Sequence, residues 1–141
     1  MKRKASVQWR GEIKTGTGAV STESGVLEDT PYSFTTRFAS GKGTNPEELA
    51  AAAHAGCFTM ALSAELGKAN LVPTLLRTTC TLTLDHVGGE WGITESHLDV
   101  IGKVPGASPE AFRKAAEAAE TGCPISKLFR TKITMDARLE A

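Results

Sequence analysis

From Leu49 to Ala64 the chain carries no charged side chain, taking His54 as neutral, and the next charge is Glu65. Helix-start chemistry stands just before this run. Asn45 is a good N-cap, Pro46 suits the first helical position, and Glu48 sits where a capping-box partner belongs. Glu47 and Glu48 also suit the positive end of a helix dipole. A helix uncharged all round has no face for water, so the expectation is a buried central helix. It reads as too short, and too dependent on alanine, to span a membrane. Ala50 to Ala53, Ala55 and Gly56 would let another backbone approach closely. Packing against its own symmetry mate in a homodimer is a natural use of such a surface.

The remaining segments read as strands and short helices that enclose this one. Val7 and Trp9 alternate with Gln8 and Arg10, and a second strand follows the Gly16–Gly18 turn region. Tyr32, Phe34, Thr36 and Phe38 alternate with Ser33, Thr35 and Arg37, which predicts a third strand with Arg37 on its polar face. After the helix, Cys80, Leu82 and Leu84 alternate with threonines, Gly88-Gly89 supplies a hairpin turn, and Ile93 to Ile101 returns. Ser108-Pro109-Glu110 starts a helix with Phe112, Ala115, Ala116 and Ala119 on one stripe. Gly122 ends it and Cys123-Pro124 opens a shorter helix. Ile133, Met135, Ala137 and Leu139 mark a last strand. The predicted order is βββ-α-ββ-αα-β, an α+β chain read as a single domain over residues 1–141.

Charge excludes several classes of function. Lys plus Arg and Asp plus Glu number 16 each, so no net field attracts nucleic acid or an anionic membrane. The basic start, Met1 to Lys4, is followed by Gln8, Arg10, Glu12 and Lys14 rather than by an apolar stretch. It does not read as a signal peptide, and the expected location is the cytoplasm. Three cysteines, at 57, 80 and 123, form neither a disulfide framework nor a zinc pattern. No metal or cofactor is expected.

Cys57, in His54-Ala55-Gly56-Cys57-Phe58, reads on local pattern first as a small core residue, with a nucleophile as the alternative. Cys80 shares a strand face with leucines and reads as core. Cys123 sits between Gly122 and Pro124 at a helix start, where backbone N–H groups favour a thiolate. His54 precedes Cys57 by one helical turn, the spacing of a Cys–His dyad or of a packed core histidine. His86 and His97 show no partner in the sequence.

The segment Gly43-Thr44-Asn45-Pro46-Glu47-Glu48-Leu49, followed by Ala53-His54-Ala55-Gly56-Cys57-Phe58, resembles the signature of the osmotically inducible protein C (OsmC) family, which includes the organic hydroperoxide resistance proteins. The resemblance extends to Ser21–Leu27, Tyr32–Phe38 and Gly122–Ser126, with the Ser-Thr-Glu-Ser-Gly stretch and His54 closer to the OsmC branch. It implies an intertwined α+β homodimer with the central helices packed together. It implies a cofactor-free peroxidase that reduces organic hydroperoxides, and hydrogen peroxide more weakly, in defence against oxidative stress. Cys57 would be the peroxidatic cysteine, Cys123 the resolving cysteine, and Arg37 with Glu47 the activating pair. The implied reductant is an external dithiol, such as dihydrolipoyl groups on proteins.

Those residue types fit that chemistry. A free thiol is only a few per cent ionised near neutrality, and an adjacent guanidinium lowers its pKa. The same guanidinium can stabilise negative charge on a leaving alkoxide. Glu47 would orient it. Glu47 precedes Cys57 by about 15 Å of helix rise, and the two side chains stand roughly 80° apart around the axis. On a straight helix Glu47 does not reach the thiol of its own chain, so the expectation, if the family role holds, is a site shared across the dimer; a bent helix, or an Arg37 long enough to bridge the gap, is the alternative. Two rivals remain on sequence grounds: a Cys57–His54 hydrolase acting on thioesters, and a non-enzymatic dimeric binder of small ligands or lipids.

Overall fold

The computed structural model describes every residue from Met1 to Ala141. The chain divides into two compact units, Met1–Leu49 and Ala50–Ala141.

In the first unit, β1 (Ala5–Arg10), β2 (Thr17–Thr22) and β3 (Thr30–Tyr32) form an antiparallel meander in sequence order. Trp9 lies against Tyr32, their ring centroids 5.4 Å apart. The expected long third strand stops at Tyr32, and the chain turns into a short helix, α1 (Phe34–Phe38). Capping chemistry explains the difference. The Ser33 hydroxyl accepts from the Thr36 amide at 3.2 Å, and the Thr36 hydroxyl accepts from the Ser33 amide at 2.8 Å. Two amide donors are thus satisfied locally, and this reciprocal box outweighs the strand-like alternation of side chains. Phe34 and Phe38 then meet one helical turn apart, with centroids at 4.8 Å. The observed order is therefore βββ-αα-ββ-αα-β.

Beyond α1 the Thr44 amide donates to the Pro31 carbonyl at 2.9 Å. Gly43 makes this approach possible: its φ is +136°, and a Cβ there would lie 2.3 Å from the same carbonyl oxygen. The chain then enters α2 (Pro46–Lys68), capped as expected, with Asn45 Oδ1 accepting from the Glu48 amide at 2.7 Å.

At 23 residues α2 is longer than its charge-free run, and by length and composition alone it could cross a membrane. The reading of this helix as too short is corrected. Its side chains identify it instead as a core helix. His54, Phe58, Leu62 and Leu66 recur at fourfold spacing and are all fully buried. The chain buries only that stripe, however. Ala53, Gly56, Met60 and Gly67 on another face are exposed, so the expectation of burial all round is not met within one chain.

The buried stripe packs in the second unit against a sheet of β4 (Leu75–Val87), β5 (Glu90–Lys103) and β6 (Lys132–Glu140), with β5 in the middle. Gly88 and Gly89, both at positive φ, make the β4–β5 turn. β6 runs parallel to β5, and the crossover between them holds α3 (Pro109–Gly122) and α4 (Pro124–Leu128). Phe112, Ala115, Ala116 and Ala119 of α3 are buried as predicted, in one core with Leu98 and Val100 of β5 and the α2 stripe.

Candidate active site

Four side chains singled out by the sequence fall into two pairs. In the first unit, Arg37 of α1 forms a forked ion pair with Glu47 in the first turn of α2. Arg37 Nη2 donates to Glu47 Oε1 at 2.7 Å, and Nε lies 3.1 Å from both carboxylate oxygens. Two parallel donors fix the guanidinium plane as well as its position. The Glu47 side chain is only 14% exposed, so the fork is held from the more buried end. Asn45 Nδ2 donates to the Thr36 carbonyl at 3.0 Å, tying α1 to the start of α2. Arg37 thus sits on a capped helical turn, not on the polar face of a strand. Trp9, Tyr32, Phe34 and Phe38 line a small cleft beside it.

In the second unit, Cys57 of α2 and Cys123 at the α3–α4 junction are brought together, their thiols hydrogen-bonded to each other. Cys123 is fully buried and serves as C-cap of α3 and N-cap of α4; Cys57 is partly exposed. Their acidities diverge. Burial pushes the Cys57 thiol up, and donation to Cys123 adds to the rise against a smaller opposing effect of the Ile125 amide. Burial also works against charge on Cys123, but the Cys57 thiol, the Ser126 amide and hydroxyl, and the Ile125 amide all donate to its sulfur. Together they hold its pKa below the ordinary thiol range. Within the chain alone, Cys123 is therefore the more acidic of the two thiols and the first to lose its proton.

His54 is buried one helical turn before Cys57. Its Nδ1 lies 2.7 Å from Ser96 Oγ and its Nε2 lies 2.9 Å from Ser126 Oγ. Both ring nitrogens are engaged by serine hydroxyls, so the Cys57–His54 dyad of a hydrolase is not formed. The Phe129 ring meets the imidazole edge-on at 5.0 Å. Burial lowers the His54 pKa, which keeps the ring neutral. Cys80 faces the core as expected, its sulfur 3.3 Å from Ser96 Oγ, and burial raises its pKa. His97, unpartnered in the sequence reading, has its Nδ1 2.7 Å from Thr134 Oγ1 on the outer sheet face. No group of three or more His, Cys, Asp or Glu side chains converges to hold a metal ion.

Ser96 and Ser126 were not singled out by the sequence. One signal was present for Ser96. It stands two residues before Leu98 and four before Val100, a polar residue in an inward-facing row. Ser126 carried no signal beyond its place at the end of the Gly122–Ser126 segment that resembles the family.

Residues 39–138 match the family model described as OsmC-like protein. The chain is 47% identical to Peroxiredoxin OsmC of Escherichia coli (strain K12) over 139 residues, covering 99% of this chain and 97% of the relative. The chain belongs to the OsmC-like family. A second relative, the Organic hydroperoxide resistance protein of Xanthomonas axonopodis pv. citri (strain 306), is 29% identical over 102 residues, 72% of this chain and 70% of that one. The crystal structure of the Organic Hydroperoxide Resistance Protein OhrB of Bacillus subtilis superposes with a TM-score of 0.73 at 27% identity, covering 97% of this chain and 98% of that one. An OsmC like protein from Mycoplasma pneumoniae superposes at 0.79 with 13% identity, covering 100% and 99%, which shows the shared OsmC-like fold.

Proposed function

We propose that this chain is a cofactor-free thiol peroxidase that reduces organic hydroperoxides, and hydrogen peroxide more weakly, through Cys57 and Cys123. The observation that carries the reading is the hydrogen bond between the two thiols, which are far apart in sequence. Two thiols in contact are placed to join as a disulfide. The names of the relatives, a peroxiredoxin and an organic hydroperoxide resistance protein, support the same reaction class.

The chemistry follows in two steps. A Cys57 thiolate attacks the outer peroxide oxygen, forming an S–O bond while the O–O bond breaks. The alkoxide leaves with that electron pair and takes up a proton, giving the alcohol and Cys57 sulfenic acid. The Cys123 thiolate then attacks the Cys57 sulfur. The disulfide forms, and hydroxide leaves and is protonated by solvent. An external dithiol, such as a dihydrolipoyl group carried on a protein, restores both thiols by exchange.

Within one chain Cys123 is the more acidic thiol, so the first step needs a cation that draws the thiolate to Cys57. The Arg37 guanidinium, oriented by Glu47, is the cation proposed for that step, and moving one shared proton from Cys57 to Cys123 is all the activation requires. Helix geometry sets Glu47 about 15 Å along α2 from Cys57, which favours delivery of the pair by a second copy of the chain. The exposed Ala53, Gly56, Met60 and Gly67 face supports the same homodimer, in which each 141-residue chain acts as one functional domain in the cytoplasm. The aromatic cleft beside Arg37 suits the organic substituent of the substrate. Neither a charge field nor a nucleic-acid motif points to other macromolecules.

The test is consumption of cumene hydroperoxide with a dithiol reductant, comparing the intact chain with Cys57→Ser. Turnover by the intact chain alone is expected. Equal turnover by both would remove Cys57 from the chemistry.

A further inference from the structure

A line of hydrogen bonds runs through the core of the second unit and ends on the resolving sulfur. Cys80 Sγ is 3.3 Å from Ser96 Oγ, Ser96 Oγ is 2.7 Å from His54 Nδ1, and His54 Nε2 is 2.9 Å from Ser126 Oγ. The Ser126 hydroxyl in turn meets Cys123. His54 and Ser96 are fully buried and Ser126 nearly so, and no charged side chain hydrogen-bonds to any of them. The titratable groups adjoining this line are the thiols Cys80, Cys57 and Cys123, together with His54 itself. Packing alone would place apolar side chains here, because each buried hydroxyl or ring nitrogen must be satisfied at the cost of a partner.

The geometry points to His54 as a positioning residue that acts through Ser126 to hold the Cys123 sulfur deprotonated and aimed for the resolving step. This inference rests on the peroxidase reading and deepens it. The polarity of the line is what matters. A neutral histidine has one donor and one acceptor nitrogen. If Ser96 donates to Nδ1, the proton of the ring is on Nε2, which donates to Ser126. The Ser126 hydroxyl is then free to donate to the Cys123 thiolate. In the other tautomer Ser126 donates to Nε2 and turns its hydrogen away from the sulfur. Cys80, donating its S–H to Ser96, favours the first arrangement, because Ser96 then has its own hydrogen left for Nδ1. Each donor in the line is used once, and the negative end is the sulfur that attacks sulfenic acid. Burial of the imidazole supports this by keeping it neutral.

After the first step Cys123 carries the proton received from Cys57, and the alkoxide released from the peroxide takes it up. Cys123 is then again a thiolate, held by the Ser126 hydroxyl while His54 Nε2 keeps its own proton.

Two measurements test this. The first is independent of peroxidase activity: thiolate ultraviolet absorbance is titrated in Cys57→Ser, and again with Ser126→Ala or His54→Leu added. Cys80 titrates above the ordinary range, so the first thiolate seen is Cys123. The expected result is a titration below the ordinary thiol range that moves up in both added variants. The second is single turnover with one equivalent of cumene hydroperoxide, following sulfenic acid and disulfide separately. Removing a hydrogen bond to a charged group should slow disulfide formation about tenfold or more in Ser126→Ala. His54→Leu should match it, and the double variant should be no slower than either single, since the two act in series. His54→Gln, which keeps an amide donor for Ser126, should recover most of the rate and serves if the leucine variant folds poorly. An unmoved thiolate titration, or additive losses in the double variant, would overturn the assignment. Failure of Cys57 to form sulfenic acid would count against the peroxidase reading, and the titration would still judge His54 on its own.

Discussion

At the residue scale, the chemistry of Cys57 and Cys123 is a matter of which sulfur holds the charge. The amides of Ile125 and Ser126 and the Ser126 hydroxyl hold it on Cys123, against burial. His54 has a separate thermodynamic signature. Its folded-state pKa is depressed below 6.5 because burial disfavours the imidazolium. Below about pH 6.5 the unfolded chain binds a proton that the folded chain refuses. The His54 contribution to stability therefore falls as pH drops, until the pH passes the folded value. Replacing His54 by Gln should flatten the stability difference between about pH 7.5 and pH 5.5, measured by urea midpoints. A variant with the same slope as the unaltered chain would mean that other groups carry it. The three cysteines were singled out in the sequence, whereas the Arg37–Glu47 pairing was implied only by the family resemblance, since local pattern set Arg37 on a strand and Glu47 at a helix dipole. Ser126 was not singled out, because a serine in a five-residue helix looks like any other exposed polar residue until the fold turns it onto His54.

Among the elements, α1 shows where sequence periodicity misleads. Tyr32 to Phe38 alternates as a strand would, yet the Ser33–Thr36 box bends it into a helical turn that carries Arg37 to Glu47. The alternation reports side-chain chemistry over a short stretch, whereas the box satisfies backbone donors directly. Ser33→Ala should cost about 1 kcal/mol of stability, the usual loss for an N-cap side chain. It should also lower peroxidase kcat/KM by freeing Arg37, whereas Thr35→Ala, outside the box, should change neither. Denaturant titration and steady-state kinetics on the two variants check this, and equal effects would discount the cap. The long helix was legible from its caps and its missing charges. Its two faces were not separable from composition, because alanine and glycine suit a core and a subunit contact equally well. Only the spacing of His54, Phe58, Leu62 and Leu66 against the β4–β5–β6 sheet picks out the buried stripe.

For the whole molecule, the account requires a second chain. We propose a homodimer whose sites draw on two copies, a reading that the exposed α2 face supports. Sedimentation at micromolar concentration should find a dimer, and a well-folded monomer would contradict it. Mixed dimers of Cys57→Ser and Arg37→Ala chains should regain one working site, since each chain supplies what the other lacks; verified mixed dimers without activity would end the shared-site idea. The most direct test of the central claim is peptide mapping after one equivalent of cumene hydroperoxide. The account predicts an intramolecular Cys57–Cys123 disulfide with Cys80 still reduced, and in Cys123→Ser a Cys57 that reacts once and then stalls or overoxidises. A Cys57–Cys80 link, or no intramolecular link at all, would contradict it.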